Sequence, residues 1–436
     1  MSECLDLASW EPAYTQNPYP LLARLRAQAP VSKVVIDGLS VWLVTRYDDI
    51  RNALSDVRLS NDPALADAAT RAVPWVEVAV SGVTRHMLRL DPPDHTRLRR
   101  LVAKAFTPRR LEAMRPRIQQ IAGELLATIQ PRGRADLVTE FALPLALTVI
   151  AELLGAPLTE REELVRWVNV AIGTDEGDIA RMPQALAWIG NYVARLIERK
   201  QQQQQQLEQV GDAEAGSLLD GLIAVRDEGE QLNHDELLAM SVLLVTAGYE
   251  TTVHLIGNGL LTLLRNPDQY AVLRADPRLI GPAIEEFLRY EPPVKLAVAL
   301  RVTTTEMTIG DVLIPAHQPV LFSFAAANRD PAHFVDPDRF DILRAERGHL
   351  AFSHGIHVCL GAPLARLEAE IAFTTLLAGC PDLALAADPD NLPWRRSRLI
   401  RGLKALPVTF TAVVTEPSPV VDLCDRRREQ HDLVAR

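Results

Sequence analysis

The sequence predicts a mainly α-helical protein with small β-sheets. Three observations carry that prediction. Leu, Ala, Glu and Arg, all good helix formers, are numerous, and 48% of the 436 residues are hydrophobic against 23% charged. Apolar residues recur at helical spacing through most of the chain's middle. Strand-like runs are short and lie near the N-terminus and in the last third.

Taken in order, residues Pro20 to Gln28 read as a helix. Val31 to Ile36 and Ser40 to Val44 read as strands, joined at Asp37-Gly38, a hairpin signal. A helix near Tyr47 to Leu54 follows. From Asn61 to Leu90 no period is sustained, and Val73, Trp75, Val76, Val78, Val80 and Val83 are scattered among polar residues. A long connection of this kind is often a binding loop or lid. Asp91-Pro92-Pro93-Asp94 marks a helix entry, and His95 and Arg99, four apart, share one face. Helical patterns then cover Leu111 to Gln130, Leu143 to Leu154, Glu160 to Ile172 and Ala185 to Gln206. The glutamine run Gln201 to Gln206 reads as a solvated helix end, and Gly211 to Gly216 as a flexible loop.

The longest helix is expected from Asn233, where Asn233 and Glu236 are spaced as a capping box, to about Arg265. At 1.5 Å per residue it spans roughly 45 to 50 Å. Leu237 to Tyr249 is apolar nearly all round, so the helix should be central and buried. Within it, Ala247-Gly248-Tyr249-Glu250-Thr251-Thr252 sits badly. A glycine leaves space, a threonine hydroxyl can bond back to the carbonyl four residues earlier, and a buried carboxylate is costly without a partner or a task. A bend is expected there.

Ile284 to Tyr290 reads as a helix ending at Pro292-Pro293, with Glu286 and Arg289 placed for an ion pair, although Glu285 is also within reach of Arg289. Val294 to Val302, Glu306 to Ile309, Val312 to Ile314 and Pro319 to Ala326 are strand-like, and Leu383 to Leu385 with Leu406 to Val413 suggest a last hairpin.

The stretch Phe352-Ser353-His354-Gly355-Ile356-His357-Val358-Cys359-Leu360-Gly361 precedes a helix opened by Pro363, with Leu364, Leu367 and Ile371 at helical spacing up to Gly379. Gly355 and Gly361 flank the thiol, and glycine permits special backbone angles or the close approach of a flat group. A thiol just before a helix start meets free N–H groups and the positive end of the helix dipole, which favour the ligating thiolate. Taken alone, such a cysteine is more often a buried small hydrophobe.

Composition excludes several classes. The four cysteines, Cys4, Cys359, Cys380 and Cys424, form no CxxC pair or closely spaced framework, so neither a zinc site nor a disulfide scaffold is indicated. The first residues show no basic segment followed by an apolar run, so a cytoplasmic protein with no membrane anchor is expected. A net charge of −10 argues against general nucleic-acid affinity. Between Arg85 and Arg117, however, ten Lys or Arg face three Asp or Glu, a patch that could receive an acidic partner or could be a solvated helix face.

Four motifs in one order resemble the cytochrome P-450 superfamily, in particular its soluble bacterial type, over roughly residues 15 to 412. They are the His95-x-x-x-Arg99 segment, Gly248-x-Glu250-Thr251, Glu286-x-x-Arg289 with a later arginine, and the loop holding Phe352, Gly355, His357, Cys359 and Gly361. Ser353 departs from the pattern, since relatives commonly have a glycine there. The resemblance implies one domain over residues 1–412, with a long central helix over haem, and a flexible polar tail over 413–436. It implies haem (heme b, iron protoporphyrin IX) with Cys359 as the axial thiolate, O2 as co-substrate, and Thr251 with Glu250 as the catalytic proton-delivering pair.

Further cofactor contacts implied by the resemblance are His95, Arg99, Arg301 and His357 toward the propionates, with Ala247, Gly248, Phe352, Gly355 and Gly361 against the ring. A structural network of Glu286 and Arg289 is completed by Arg339, from the Asp330 to Phe340 segment. The distal substrate pocket is assigned to Val83, Leu243, Ala247, Leu296, Ala297 and Ile400. Implied activity is regioselective hydroxylation or epoxidation of a medium-to-large hydrophobic molecule, a polyketide, macrolide or terpenoid. No nucleotide-binding motif is present, so electrons are expected from NAD(P)H through a reductase and a ferredoxin or flavodoxin docking near Arg97 to Arg110, on a monomer. A peroxide-driven or rearranging enzyme of the same fold, and a haem-binding sensor or carrier without turnover, stay open at this point.

Overall fold

The computed structural model describes residues 5–6, 11–36, 38–79, 84–172, 176–210, 217–225 and 230–413. Val83, the Gly211 to Gly216 segment and the tail from residue 414 lie outside the described residues.

Helices dominate, and the main sheet is assembled from distant parts of the chain. Val31–Ile36 and Leu39–Val44 pair antiparallel around Gly38, with Ile36 opposite Leu39 and Val31 opposite Val44. Leu39–Val44 then pairs in parallel with Pro319–Phe322, which pairs with Arg301–Thr303, and Leu59–Ser60 closes the far edge. Leu5–Asp6 forms the other edge, making six strands. Of the expected strand Val294 to Val302 only the end forms, within Arg301–Thr303; before it Val294 and Leu296 make only isolated bridges, to Ile400 and Ser323. The last hairpin forms between Ala384–Leu385 and Pro407–Thr409, and Arg134–Asp136 joins it as an unforeseen third strand.

The stretch from 61 to 90 is not a bare loop. It breaks into short helical turns at Pro63–Leu65, Ala68–Arg71, Pro74–Ala79 and Met87–Arg89. Asp62 and Asp67 cap the first two by accepting backbone N–H groups, and such short pieces carry no hydrophobic period long enough to be read. Val76 is fully buried against Leu21, Leu22 and Leu300.

The long helix is two helices. Asn233 and Glu236 form the expected capping box, and the first segment runs His234–Ala247. After Gly248 and Tyr249 a second segment runs Glu250–Leu264. Taken together, His234–Leu264 is long and apolar enough to suit a membrane span, but most of its apolar stretch is buried inside the protein, as a core helix requires. The break has a local cause. A side chain at Gly248 would meet Ile150 Cδ1 and the Leu244 carbonyl, each 2.5 Å away, so only glycine fits against Leu143–Leu154. Thr251 Oγ1 bonds back to the Ala247 carbonyl at 3.2 Å, as its position predicts.

One structural assignment is corrected. Glu286 receives Arg289 through Nε and Nη2, both at 2.7 Å. Its second cationic partner, the third member of the network, is Arg344, with Nε 3.2 Å from Glu286 Oε1, and not Arg339. Arg339 contributes its backbone: its carbonyl accepts from Arg289 Nη2 at 3.1 Å and Arg344 Nη2 at 2.8 Å, while its side chain is 65% exposed. The segment turns its carbonyls inward to satisfy two guanidinium groups, which leaves the Arg339 side chain in water.

Candidate active site

The two unusual stretches of the sequence form opposite walls of one cavity of about 1540 Å³, counted with its mouth. Ala247, Gly248, Thr251 and Thr252 line one side, and Phe352, Ser353, His357, Cys359 and Gly361 the other.

The cysteine loop is shaped by backbone bonds. Cys359 N–H donates to the Phe352 carbonyl at 2.9 Å, and Val358 N–H to the Gly355 carbonyl at 3.2 Å. Gly355 has φ +71°, and a side chain there would meet the Leu54 carbonyl at 2.8 Å. It therefore shapes the loop from behind and does not line the cavity. Gly361 has an ordinary φ of −80° and lies on the cavity wall beside Cys359 Sγ, which suits the close approach of a flat group. Ser353 takes φ +64°, a left-handed conformation that glycine adopts without strain.

Cys359 Sγ is accessible from the cavity while protein packs tightly behind it. Burial pushes the thiol up; the Gly361 and Ala362 N–H groups and the charges of Arg99 and Arg366 pull it down. The helix start acts as expected, but in this cavity burial outweighs it, so a positive ion is needed to hold the thiolate.

At one corner of the cavity four cationic or imidazole side chains converge. The rings of His95 and His357 lie 4.1 Å apart, tilted by 46°. Arg301 is buried beside them, and Arg99 reaches the Val358 carbonyl at 2.7 Å. Both ring nitrogens of His95, Nε2 of His357 and Nε of Arg301 have no hydrogen-bond partner. Burial and the neighbouring positive charges lower His357 to about 2, and burial lowers Arg301 to about 10. Orphaned buried donors of one sign describe a receptor for anions. A planar group with two carboxylates and a central metal, facing a cysteine sulfur, fits this donor set.

On the other wall, Thr251 faces the cavity but Glu250 does not. The Glu250 carboxylate is buried on the far side, where Oε1 lies 3.2 Å from Arg395 Nη2 and 3.6 Å from His254 Nε2. Of the expected substrate contacts, Leu243, Ala247 and Ala297 line the cavity. Leu296 and Ile400 do not: Leu296 packs into the core with Leu21 and Leu321, and Ile400 is taken up in the bridge to Val294. Met87, Leu88, Val294, Val298 and Ala299 line the cavity instead. The resemblance assigned both Leu296 and Ala297 to the pocket, but these adjacent side chains point to different sides of the backbone and only Ala297 turns to the cavity.

Several residues escaped the sequence reading. Glu368 lines the cavity fully buried, with Oε2 unpartnered, and burial pushes its carboxyl well above the usual range. Its only sequence signal was an acid on the buried face of Ala362–Gly379. Arg395 and Arg344 carried no spacing signal, because their partners lie far away in sequence; His254 did carry one, four residues after Glu250 on the same helix.

A cavity with a cysteine thiol on one side, a bent helix bearing threonine on the other and a carboxylate receptor at the edge defines a haem-thiolate oxygenase. The sequence profile described as Cytochrome P450 matches residues 14–380. The chain belongs to the cytochrome P450 family, and it is a P450 monooxygenase, a haem-thiolate enzyme that uses O2. It is 46% identical to cytochrome P450 monooxygenase PikC of Streptomyces venezuelae, over 93% of this chain and 94% of that one. It is 42% identical to 6-deoxyerythronolide B hydroxylase of Saccharopolyspora erythraea, over 89% and 95%. Among solved structures, the tirandamycin C-bound P450 monooxygenase TamI superposes with a TM-score of 0.82 at 42% identity, covering 93% of this chain and all of that one.

Proposed function

We propose that this chain, as a single domain over residues 1–412, hydroxylates or epoxidises a medium-to-large hydrophobic natural product, a polyketide or macrolide. The observation that carries this reading is that Cys359 and Thr251 line one cavity together with an apolar wall: Leu243, Leu244, Ala247, Ala297, Val298 and Ala299, with Met87 and Leu88. Relatives that act on 6-deoxyerythronolide B and bind tirandamycin C support the substrate class.

Haem b would be held by Cys359 at the iron and by His95, Arg99, Arg301 and His357 at its carboxylates. When bound, it supplies oxygen activation, with the thiolate donating electron density that favours cleavage of the O–O bond. The protein's own residues do the rest. The Gly361 and Ala362 N–H groups spread the negative charge of the Cys359 sulfur. The break at Gly248 and Tyr249 interrupts the helical ladder, so backbone groups near Thr251 can hold water. Thr251 donates to the Ala247 carbonyl and keeps its lone pairs available to accept a proton-carrying water. Glu250 takes part by turning from Arg395 toward Thr251, passing protons from the hairpin side. The apolar wall excludes bulk water and orients the substrate.

Electrons come from NAD(P)H through a reductase and a ferredoxin or flavodoxin, to a monomer in the cytoplasm. The docking face runs from Arg97 to Arg110. Within it Arg97 pairs with Glu236 and Arg100 with Glu230, so it is less positive than its sequence. The red-shifted band in a carbon monoxide difference spectrum of the reduced protein tests the thiolate, and its absence overturns the reading. A screen of macrolides, linear polyketides, terpenoids, steroids and fatty acids for spin-state shifts tests the substrate class; a response confined to fatty acids would refute it.

A further inference from the structure

A charge assembly beside the cysteine loop has no part in the chemistry described so far. Arg366, on the helix Ala362–Gly379, donates through Nε and Nη2 to the two oxygens of Glu285, at 2.7 and 2.9 Å. This parallel fork fixes the guanidinium plane. His349 Nε2 lies 3.3 Å from Glu285 Oε2, while its Nδ1 accepts the Ala351 N–H at 3.2 Å. With Nδ1 accepting, the ring proton sits on Nε2 and points at Glu285. Glu285 is thus pinned from two sides.

The assembly reaches the sulfur through Phe352. The Arg366 guanidinium lies 4.7 Å over the Phe352 ring, and the His349 ring centroid is 6.0 Å from it. The Phe352 carbonyl in turn accepts the Cys359 N–H. Arg366 and the sulfur also interact through space, charge with charge. Arg366 and Glu285 are partly exposed, 42% and 31% at their side chains, so water screens them but does not cancel them.

We propose that the Glu285–Arg366 pair, pinned by His349, sets how readily a haem held by Cys359 accepts an electron. The inference rests on the haem-thiolate reading above. Adding an electron next to an anionic sulfur is favoured by nearby positive charge. Arg366 provides that charge, and Glu285, bonded to it through the fork, offsets part of it. Both are positioning residues: neither lines the cavity. Removing either one moves the charge at the sulfur in opposite directions, which a packing role would not do.

The test is an optical redox titration of the haem-loaded full chain, comparing Glu285→Gln, Arg366→Gln, the double variant and Arg366→Lys. Glu285→Gln is expected to favour the reduced form about tenfold, an upward shift of about 59 mV for one electron. Arg366→Gln shifts the opposite way, the double variant lies between the two, and Arg366→Lys, which keeps the charge and loses the fork, stays near wild type. The shifts shrink at high salt. If Glu285→Gln and Arg366→Gln shift in the same direction, or neither shifts, the inference is overturned. Should a neutral variant not fold, Arg366→Lys still decides: a shift as large as that expected for charge removal refutes the proposed role, and a potential near wild type supports it. A carbon monoxide difference spectrum in the same cuvette separates the two failures. A missing thiolate band in wild type sinks the parent reading, whereas a normal band with unmoved potentials sinks only this one.

Discussion

Replacing Arg344 with leucine is expected to destabilise the protein by about 3 kcal/mol, toward the lower end of what breaking a buried ion pair costs. The Arg344 side chain is 6% exposed and faces Glu286, itself 4% exposed, at 3.2 Å. It also donates to three backbone carbonyls, those of Val335, Asp336 and Arg339. Leucine removes one of two cations from a buried carboxylate and takes the Arg344 donor from the Val335 carbonyl, while the Asp336 and Arg339 carbonyls keep the Arg339 N–H and Arg289 Nη2. The low end of the range applies because Arg289 still holds both Glu286 oxygens. Arg339→Leu leaves its carbonyl in place and removes only an exposed side chain 3.8 Å from Asp341, so about 0.5 kcal/mol or less is expected. Guanidinium unfolding followed by far-UV circular dichroism, with haem retention as a second probe, measures both. An Arg339 variant as damaged as the Arg344 variant would refute the assignment.

Thr251→Ala should keep haem and the carbon monoxide band while diverting reducing equivalents to peroxide; unchanged coupling of NAD(P)H use to product would remove Thr251 from proton delivery. Glu285 is held down to about 2 from an ordinary 4.5, against its burial, by its bonds to His349 and Arg366. A carboxylate depressed in the folded state stabilises fully above its unfolded value and loses that contribution as pH falls from 4.5 toward 2. The unfolding free energy from denaturant titrations should therefore drop over that window by an amount reaching about 2 kcal/mol after allowance for screening, and the drop should be smaller in Glu285→Gln. A side chain at Gly402 would stand 2.0 Å from His254 Nδ1. Gly402→Ala should then cost about 1–3 kcal/mol, part of which His254→Ala on top of it recovers in a double-mutant cycle. Charge reversal at Arg100 and Lys104 should slow reduction by a ferredoxin and weaken its salt dependence; an unchanged rate would move the docking face elsewhere.

Much of this enzyme was legible in the sequence, because local physics carried it. The capping box at Asn233, the hairpin at Gly38, the helix after Pro363 and the bend signalled by Gly248 and Thr251 each depend on neighbours within a few residues. Cys359, His95, Arg99, Arg301 and His357 were also named, and the fold brings all five to one cavity. What the tertiary structure alone decided is which way side chains point when partners are distant. Arg344 displaced Arg339 at Glu286 because the 335–344 segment turns its carbonyls inward. Ala297 entered the cavity and Leu296 the core because adjacent side chains leave the backbone on different sides, and which side meets the cavity is set by how the stretch packs. Glu250 faces Arg395, 145 positions on, and no period in either segment encodes that meeting. Local propensity and spacing record what a residue does with its near neighbours; charge pairing across the fold is set by where whole elements come to rest.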